Sequence, residues 1–138
     1  YDVILLDTGA GIAETVLQFN LLAQRNLLVL NRELTSLTDA YAMVKVMYQV
    51  FGQQSFSIIT NNVSDHREGA SIFTNIDTIS KRFLGFSLTW LGSIRQDDMI
   101  PKTILRQEIP VCKFPRSRVA ADFIGVSKTL LTGASTAR

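Results

Sequence analysis

Apolar positions along the chain fall into short unbroken runs separated by longer stretches of helical spacing. Val3, Ile4, Leu5 and Leu6 form the first run, closed by Asp7, Thr8, Gly9, Ala10 and Gly11. Four consecutive apolar residues are too few for a helix and too uniform for a half-solvated strand. A strand buried between helix layers is therefore predicted at 3–6. A helix is predicted over 13–24 and a second two-sided strand over 27–30. Ser36 with Asp39 three residues on predicts an approximate capping box. Leu37, Tyr41, Val44, Tyr48 and Phe51 follow at helical spacing as the inner stripe, and Gly52 stops the helix. That register leaves Asp39, Met43, Lys45 and Gln49 on the opposite face.

A third strand is predicted over 56–60, ending in Asn61 and Asn62. Asp65 with Glu68 opens the next helix, whose apolar positions include Phe73, Ile76 and Phe83. A fourth strand is predicted over 86–94, a short helix around Pro101, and a terminal helix over 117–131. In the last, Ala120, Phe123, Ile124 and Leu131 form the stripe expected to pack on the sheet. The order β-α-β-α-β-α-β-α-α with apolar strands predicts an α/β fold, a parallel sheet with helices on both faces. Residues 1–138 read as one unit without repeat, linker or low-complexity stretch.

Composition narrows the function classes. Of 138 residues, 46% are hydrophobic and 19% charged, which excludes disorder and collagen-like repeats. Fourteen Lys/Arg against twelve Asp/Glu leave a net charge of +2, too little for a nucleic-acid binder. Residues 1–94 sum to −2 and 95–138 to +4, read as an ordinary solvated face before a phosphate or lipid surface. The single Cys112 permits neither an internal disulfide nor a cysteine zinc site and is expected as a small packing residue. No apolar run approaches the ~20 residues of a membrane span, and no signal peptide is visible. The chain opens at Tyr1, inside a predicted strand, and is expected to be a fragment or a trimmed chain.

In open parallel sheets, ligands sit beyond the carboxyl ends of the strands. Three polar segments take that position: 7–11, 31–33 and 61–63. Two partial motifs fail. Leu5-Leu6-Asp7-Thr8-Gly9-Ala10 matches the aspartic-protease loop, but that chemistry needs an all-β lobe and a second Asp. Gly9-Ala10-Gly11 with Glu33 imitates a dinucleotide fingerprint, but Glu14 occupies the third glycine position. An apolar strand ending in Asp before a glycine turn also fits a Walker B and switch II element, with the carboxylate holding Mg²⁺ through water.

Taken together the segments acquire a specific resemblance. Asp2-Val3-Ile4-Leu5-Leu6-Asp7-Thr8-Gly9-Ala10-Gly11-Ile12 is similar to switch II of the MinD/ParA deviant-Walker P-loop ATPases. The helix start Ser36-Leu37-Thr38-Asp39-Ala40-Tyr41 resembles the flagellar-number-regulator (FlhG) branch of that family. So do Asn61-Asn62-Val63 with Glu68-Gly69, Leu91-Gly92-Ser93-Ile94 with Asp97, and Phe114-Pro115-Arg116-Ser117. Two positions depart from the family. Arg32-Glu33 stands where it carries Pro-Glu, and its Pro before the final acidic loop is replaced around Arg95.

The resemblance implies the C-terminal half of a MinD-like fold. The phosphate loop and the switch I Asp are expected before Tyr1, and this chain alone is expected to be inactive with no ligand bound. In the full-length protein it implies ATP and Mg²⁺ as cofactors. Asp7 would be the catalytic and metal-side carboxylate, with Thr8, Gly9 and Gly11 in the same turn. Asn61, Arg95 and Asp97 would bind nucleotide, and Glu33, Ser36, Asp39 and Met43 would meet partners or the second subunit. Implied partners are a homodimer in the ATP state, a signal-recognition-type flagellar GTPase and a flagellar transcription regulator, without direct nucleic-acid contact. Localisation would be cytoplasmic, with peripheral membrane contact through a segment beyond the chain. Two alternatives stay open: a division-site or chromosome-partitioning relative, and a nucleotide-free interaction module.

Overall fold

A computed structural model describes residues 3–132. The element order is α1 (Glu14–Leu22), β1 (Asn26–Leu30), α2 (Leu34–Phe51), β2 (Phe56–Val63), α3 (His66–Leu84), β3 (Thr89–Arg95), α4 (Met99–Leu105), α5 (Pro110–Lys113) and α6 (Arg118–Thr132). The strands pair in the order β1-β2-β3, all parallel, with Leu28 opposite Ile58 and Ser57 opposite Thr89. Alternate strand residues face opposite layers, so each face has its own core. On one, Leu30, Ile58 and Phe56 pack with Val44 and Met47 of α2 and Ile76 and Leu84 of α3. On the other, Leu91 and Ile94 pack with Val119 and Val126 of α6. The predicted α/β class and the helices on both faces are present.

The predicted strand at 3–6 is not formed. These residues run irregularly into α1, and Leu5 is 81% exposed. An apolar run specifies burial, but a strand exists only where another strand takes its backbone hydrogen bonds. Among the described residues β1 pairs only with β2, and nothing pairs with 3–6.

The start of α2 also differs from the predicted capping box. The helix begins at Leu34 behind Glu33, which makes no side-chain cap. Ser36 is therefore inside the first turn, where its Oγ accepts the Asn31 N–H at 3.1 Å. The buried stripe is Ala40, Met43, Val44 and Met47, while Phe51 is exposed. Met43, assigned from its spacing to the partner-facing side, is 5% exposed and belongs to the core. Both inner faces share Val44, and spacing alone left the stripe rotated by about one position. At the far end Gly52 ends the helix as predicted, with φ +70°.

α3 begins as its sequence implies. Asp65 Oδ1 accepts the N–H groups of Arg67 and Glu68, both at 2.8 Å, and Glu68 reaches back to the Ser64 N–H and hydroxyl. β3 starts at Thr89 because the preceding backbone is bonded to α3 instead. Ser80 Oγ donates to the Phe86 carbonyl, and Leu88 N–H donates to Asp77 Oδ1. The four-residue α5, with Pro110 in its first turn, lies where no helix is predicted. On α6 the packed residues are Val119, Ala120, Asp122 and Val126, leaving Phe123, Ile124 and Leu131 exposed. Cys112 is exposed, not the packing residue expected. No helix among the described residues is long and apolar enough to cross a membrane.

Candidate functional site

Two irregularities shape the carboxyl end of the sheet. Asn61 pairs with Ile94 and Val63 with Arg95, so Asn62 is an extra residue in β2. Its φ of +57° lies in the left-handed region that Asn tolerates better than most side chains. Bulges of this kind re-aim neighbouring side chains. Val63 is turned fully into the core, while Asn61 and Asn62 face solvent. The Asn61 amide makes no hydrogen bond within the described residues, so its donor and acceptor are both free.

A second bulge lies in β3, where Ile58 pairs with Trp90 and Ile59 with Gly92. Gly92 has φ +135°, and a Cβ there would lie 3.2 Å from Val126 Cγ2 of α6. The bulge lets α6 approach β3 closely. On the opposite face, Gly69 brings the first turns of α3 against both strands. A Cβ at Gly69 would lie 2.6 Å from Ser93 Cβ and 2.7 Å from Thr60 Oγ1.

Beyond the strand ends, the loop after β3 is pinned at successive residues. Arg95 N–H donates to Asp122 Oδ2 at 3.0 Å, Gln96 N–H donates to the Val63 carbonyl at 2.7 Å, and Asp97 Oδ1 accepts the Met99 N–H at 2.9 Å. Ser64, Gln96, Asp97, Asp98 and Arg118 line a polar cleft of about 330 Å³ beside this loop. Asp97 thus lies in a cleft at the end of β3, while Asn61 stands free at the end of neighbouring β2.

Arg95, expected to bind nucleotide, is already engaged. Its Nε and Nη2 donate to Asp122 Oδ2 and Oδ1 at 2.9 and 2.8 Å, a bidentate pair. Burial pushes the Asp122 carboxyl up, but the Arg95 side-chain and backbone hydrogen bonds and the Arg95 charge outweigh this and hold it below the usual carboxylate range. The same contact raises the Arg95 guanidinium. His66 completes the cluster, with Nδ1 2.6 Å from Ser93 Oγ and Nε2 3.5 Å from Asp122 Oδ1. His66 and Asp122 escaped sequence reading, and Ser93 entered it only within the Leu91–Ile94 resemblance. The one available signal was Asp122, a lone carboxylate on an otherwise apolar helix stripe, which must find a partner when buried.

The remaining site residues are dispersed. Asp7, Thr8, Gly9 and Gly11 lie in the irregular segment before α1, with the Asp7 carboxylate exposed and without a partner among the described residues, and Gly11 at φ +102°. Glu33, Ser36 and Asp39 sit together at the start of α2, beyond the carboxyl end of β1. There Asn31 Oδ1 accepts the Glu33 N–H at 2.8 Å and shapes the turn. Among the described residues no group of three or more His, Cys, Asp or Glu side chains is placed to hold a metal directly.

An open parallel sheet with polar loops at its carboxyl edge and helices on both faces defines the class, an α/β unit consistent with half of a P-loop nucleoside triphosphatase. No family model matches the chain. It is 35% identical over 127 residues, 92% of its length, to the antiactivator FleN of Pseudomonas aeruginosa. It is 26% identical over 109 residues, 78% of its length, to the flagellum site-determining protein YlxH of Helicobacter pylori. The chain is related to the FleN/FlhG-like members of the MinD/ParA family. It spans 45% and 36% of the lengths of these two relatives.

Proposed function

We propose that this chain is the C-terminal portion of a MinD-like ATPase that limits flagellar number and placement through ATP-dependent dimerisation and partner binding. The observation that carries this reading is the free Asn61 amide on the bulged end of β2, next to the strand whose end forms the Asp97 cleft. An amide offers one donor and one acceptor, the pair that the Watson–Crick edge of adenine requires. The exposed Asp7 carboxylate suits a magnesium-side role, acting through water rather than by direct ligation. ATP, when bound, supplies a phosphoanhydride whose cleavage separates two states of the protein. A phosphate-binding half outside this sequence would hold the phosphates.

Names of the relatives, an antiactivator and a flagellum site-determining protein, support a regulatory readout. Glu33, Ser36 and Asp39 form the surface where nucleotide state would be sensed by a second copy. The signal-recognition-type flagellar GTPase and the flagellar transcription regulator would meet the same region. Peripheral contact with the cytoplasmic face of the membrane would use a segment outside this sequence.

Calorimetric titration of the full-length protein with ATP and GTP tests the reading. Replacing Asn61→Ala should cut the preference for ATP over GTP about tenfold, the loss of about 1.4 kcal/mol of base recognition. An unchanged preference in a folded variant would return Asn61 to the role of a strand terminator.

A further inference from the structure

We propose that the Arg95–Asp122 pair is the positioning device for the 96–98 loop, and so sets how selectively a nucleotide base is held beside that loop. The inference rests on the reading of this cleft as a base site. Asp122 lies on α6 with a side chain only 4% exposed, and both of its oxygens are spent largely on one residue. The contact includes the Arg95 backbone N–H as well as the guanidinium. A carboxylate that holds only a guanidinium fixes a flexible side chain. One that also holds the main-chain N–H fixes the last peptide of β3.

From that anchor the chain is held residue by residue. Arg95 is tied to α6, Gln96 to Val63 of β2, and Asp97 to Met99 at the start of α4. Gln96 and Asp97 both line the cleft. Arg95 itself does not line the cleft, and its Nε and Nη2 are turned to Asp122 instead. It acts on a ligand through the loop it precedes and is a positioning residue. Asp122 also needs Arg95, since a buried carboxylate left alone is strongly unfavourable. His66 borders the same oxygen at 3.5 Å and links it to Ser93, so α3 shares the anchor. A site loosened by about 1 Å loses much of its discrimination, which is why an off-site pair controls it.

The test uses the full-length protein and four variants: Arg95→Gln, Asp122→Asn, the two combined, and Arg95→Lys. Asp122→Asn keeps the size of the side chain but removes the charge, weakens the acceptor for the Arg95 N–H and turns an amide NH2 toward the Arg95 donors. Dissociation constants for ATP and GTP are measured by calorimetry beside thermal melting. Each of the first two variants should weaken ATP binding about tenfold and change GTP binding by less than about twofold. The double variant should be no worse than either single one, because both remove one unit. Arg95→Lys, which keeps the charge and the backbone bond, should restore most of the ATP preference. Variants that melt lower yet keep the wild-type ATP-to-GTP ratio would overturn the proposal and leave the pair a fold anchor. A wild-type protein with no preference for ATP would overturn the base-site reading itself, and this proposal with it.

Discussion

Replacing Gly69→Ala should destabilise the protein, although the position is helical and alanine is the better helix former. Alanine gains roughly 1 kcal/mol of helix propensity over glycine in a free helix. Here the new methyl would sit 2.6 Å from Ser93 Cβ and 2.7 Å from Thr60 Oγ1, about 1 Å inside ordinary contact. Neither neighbour is the loose end of a long side chain. Thr60 is fully buried and Ser93 is 3% exposed, each in a paired strand. α3 must therefore back away from the sheet, at the roughly 1–3 kcal/mol typical of overpacking. Set against the propensity gain, the net loss is up to about 2 kcal/mol, a fall of up to about 8 °C in melting temperature for a domain of this size. Gly125→Ala is the internal control, because a Cβ there meets nothing within 4 Å in the middle of α6. That variant should match or exceed wild type by a few tenths to 1 kcal/mol. Urea unfolding of both variants decides the matter. A Gly69→Ala protein at least as stable as Gly125→Ala would refute the close packing of α3 against β2 and β3. It would also refute the placement of His66 beside Ser93.

Three further outcomes follow from the same structure. On α2, Asp39→Lys should leave the unfolding free energy within about 0.5 kcal/mol of wild type and weaken co-purification of the proposed ATP-bound dimer or flagellar GTPase partner, whereas Met43→Glu should abolish folding by burying a lone charge. Acid should destabilise the fold: burial pushes Asp77 and Asp122 up, but Lys81 with the Leu88 N–H, and Arg95, outweigh it and hold both below the usual carboxylate range. Their contribution is present in full above the unfolded value near pH 4 and is lost as pH falls through the lowered folded values, so chemical unfolding should show a decline below about pH 4 that Asp122→Asn shallows. Residues 1–138 alone should bind ATP too weakly for calorimetry at micromolar concentration, because the backbone N–H groups and lysine of a phosphate loop supply most of the grip.

Sequence patterning located most of the architecture, since helix and strand periods report burial directly. Asp65 and Glu68 marked the start of α3 through their capping chemistry, and Gly52 marked the end of α2. Failures occurred where the deciding partner is distant in sequence. Residues 3–6 are apolar enough for a strand, yet no described strand accepts their hydrogen bonds. Met43 and Phe51 exchanged sides because α2 is apolar over more than half its circumference, so several inner faces fit. Within the site, Asn61 and Asp97 were legible as polar residues at strand ends. The engagement of Arg95 was not, because Asp122 lies 27 residues away on another helix and carries no motif. The bulge at Asn62 depends on how β2 meets β3, which neither strand specifies alone.

The central claim is that a nucleotide base lies against the carboxyl ends of β2 and β3. Photolabelling the full-length protein with an azido-adenine analogue of ATP, followed by mass-spectrometric mapping, tests it most directly. Adducts are expected only within 61–64 and 96–98, suppressed by unlabelled ATP and not by GTP. Adducts that ATP suppresses but that fall outside those two segments would contradict it.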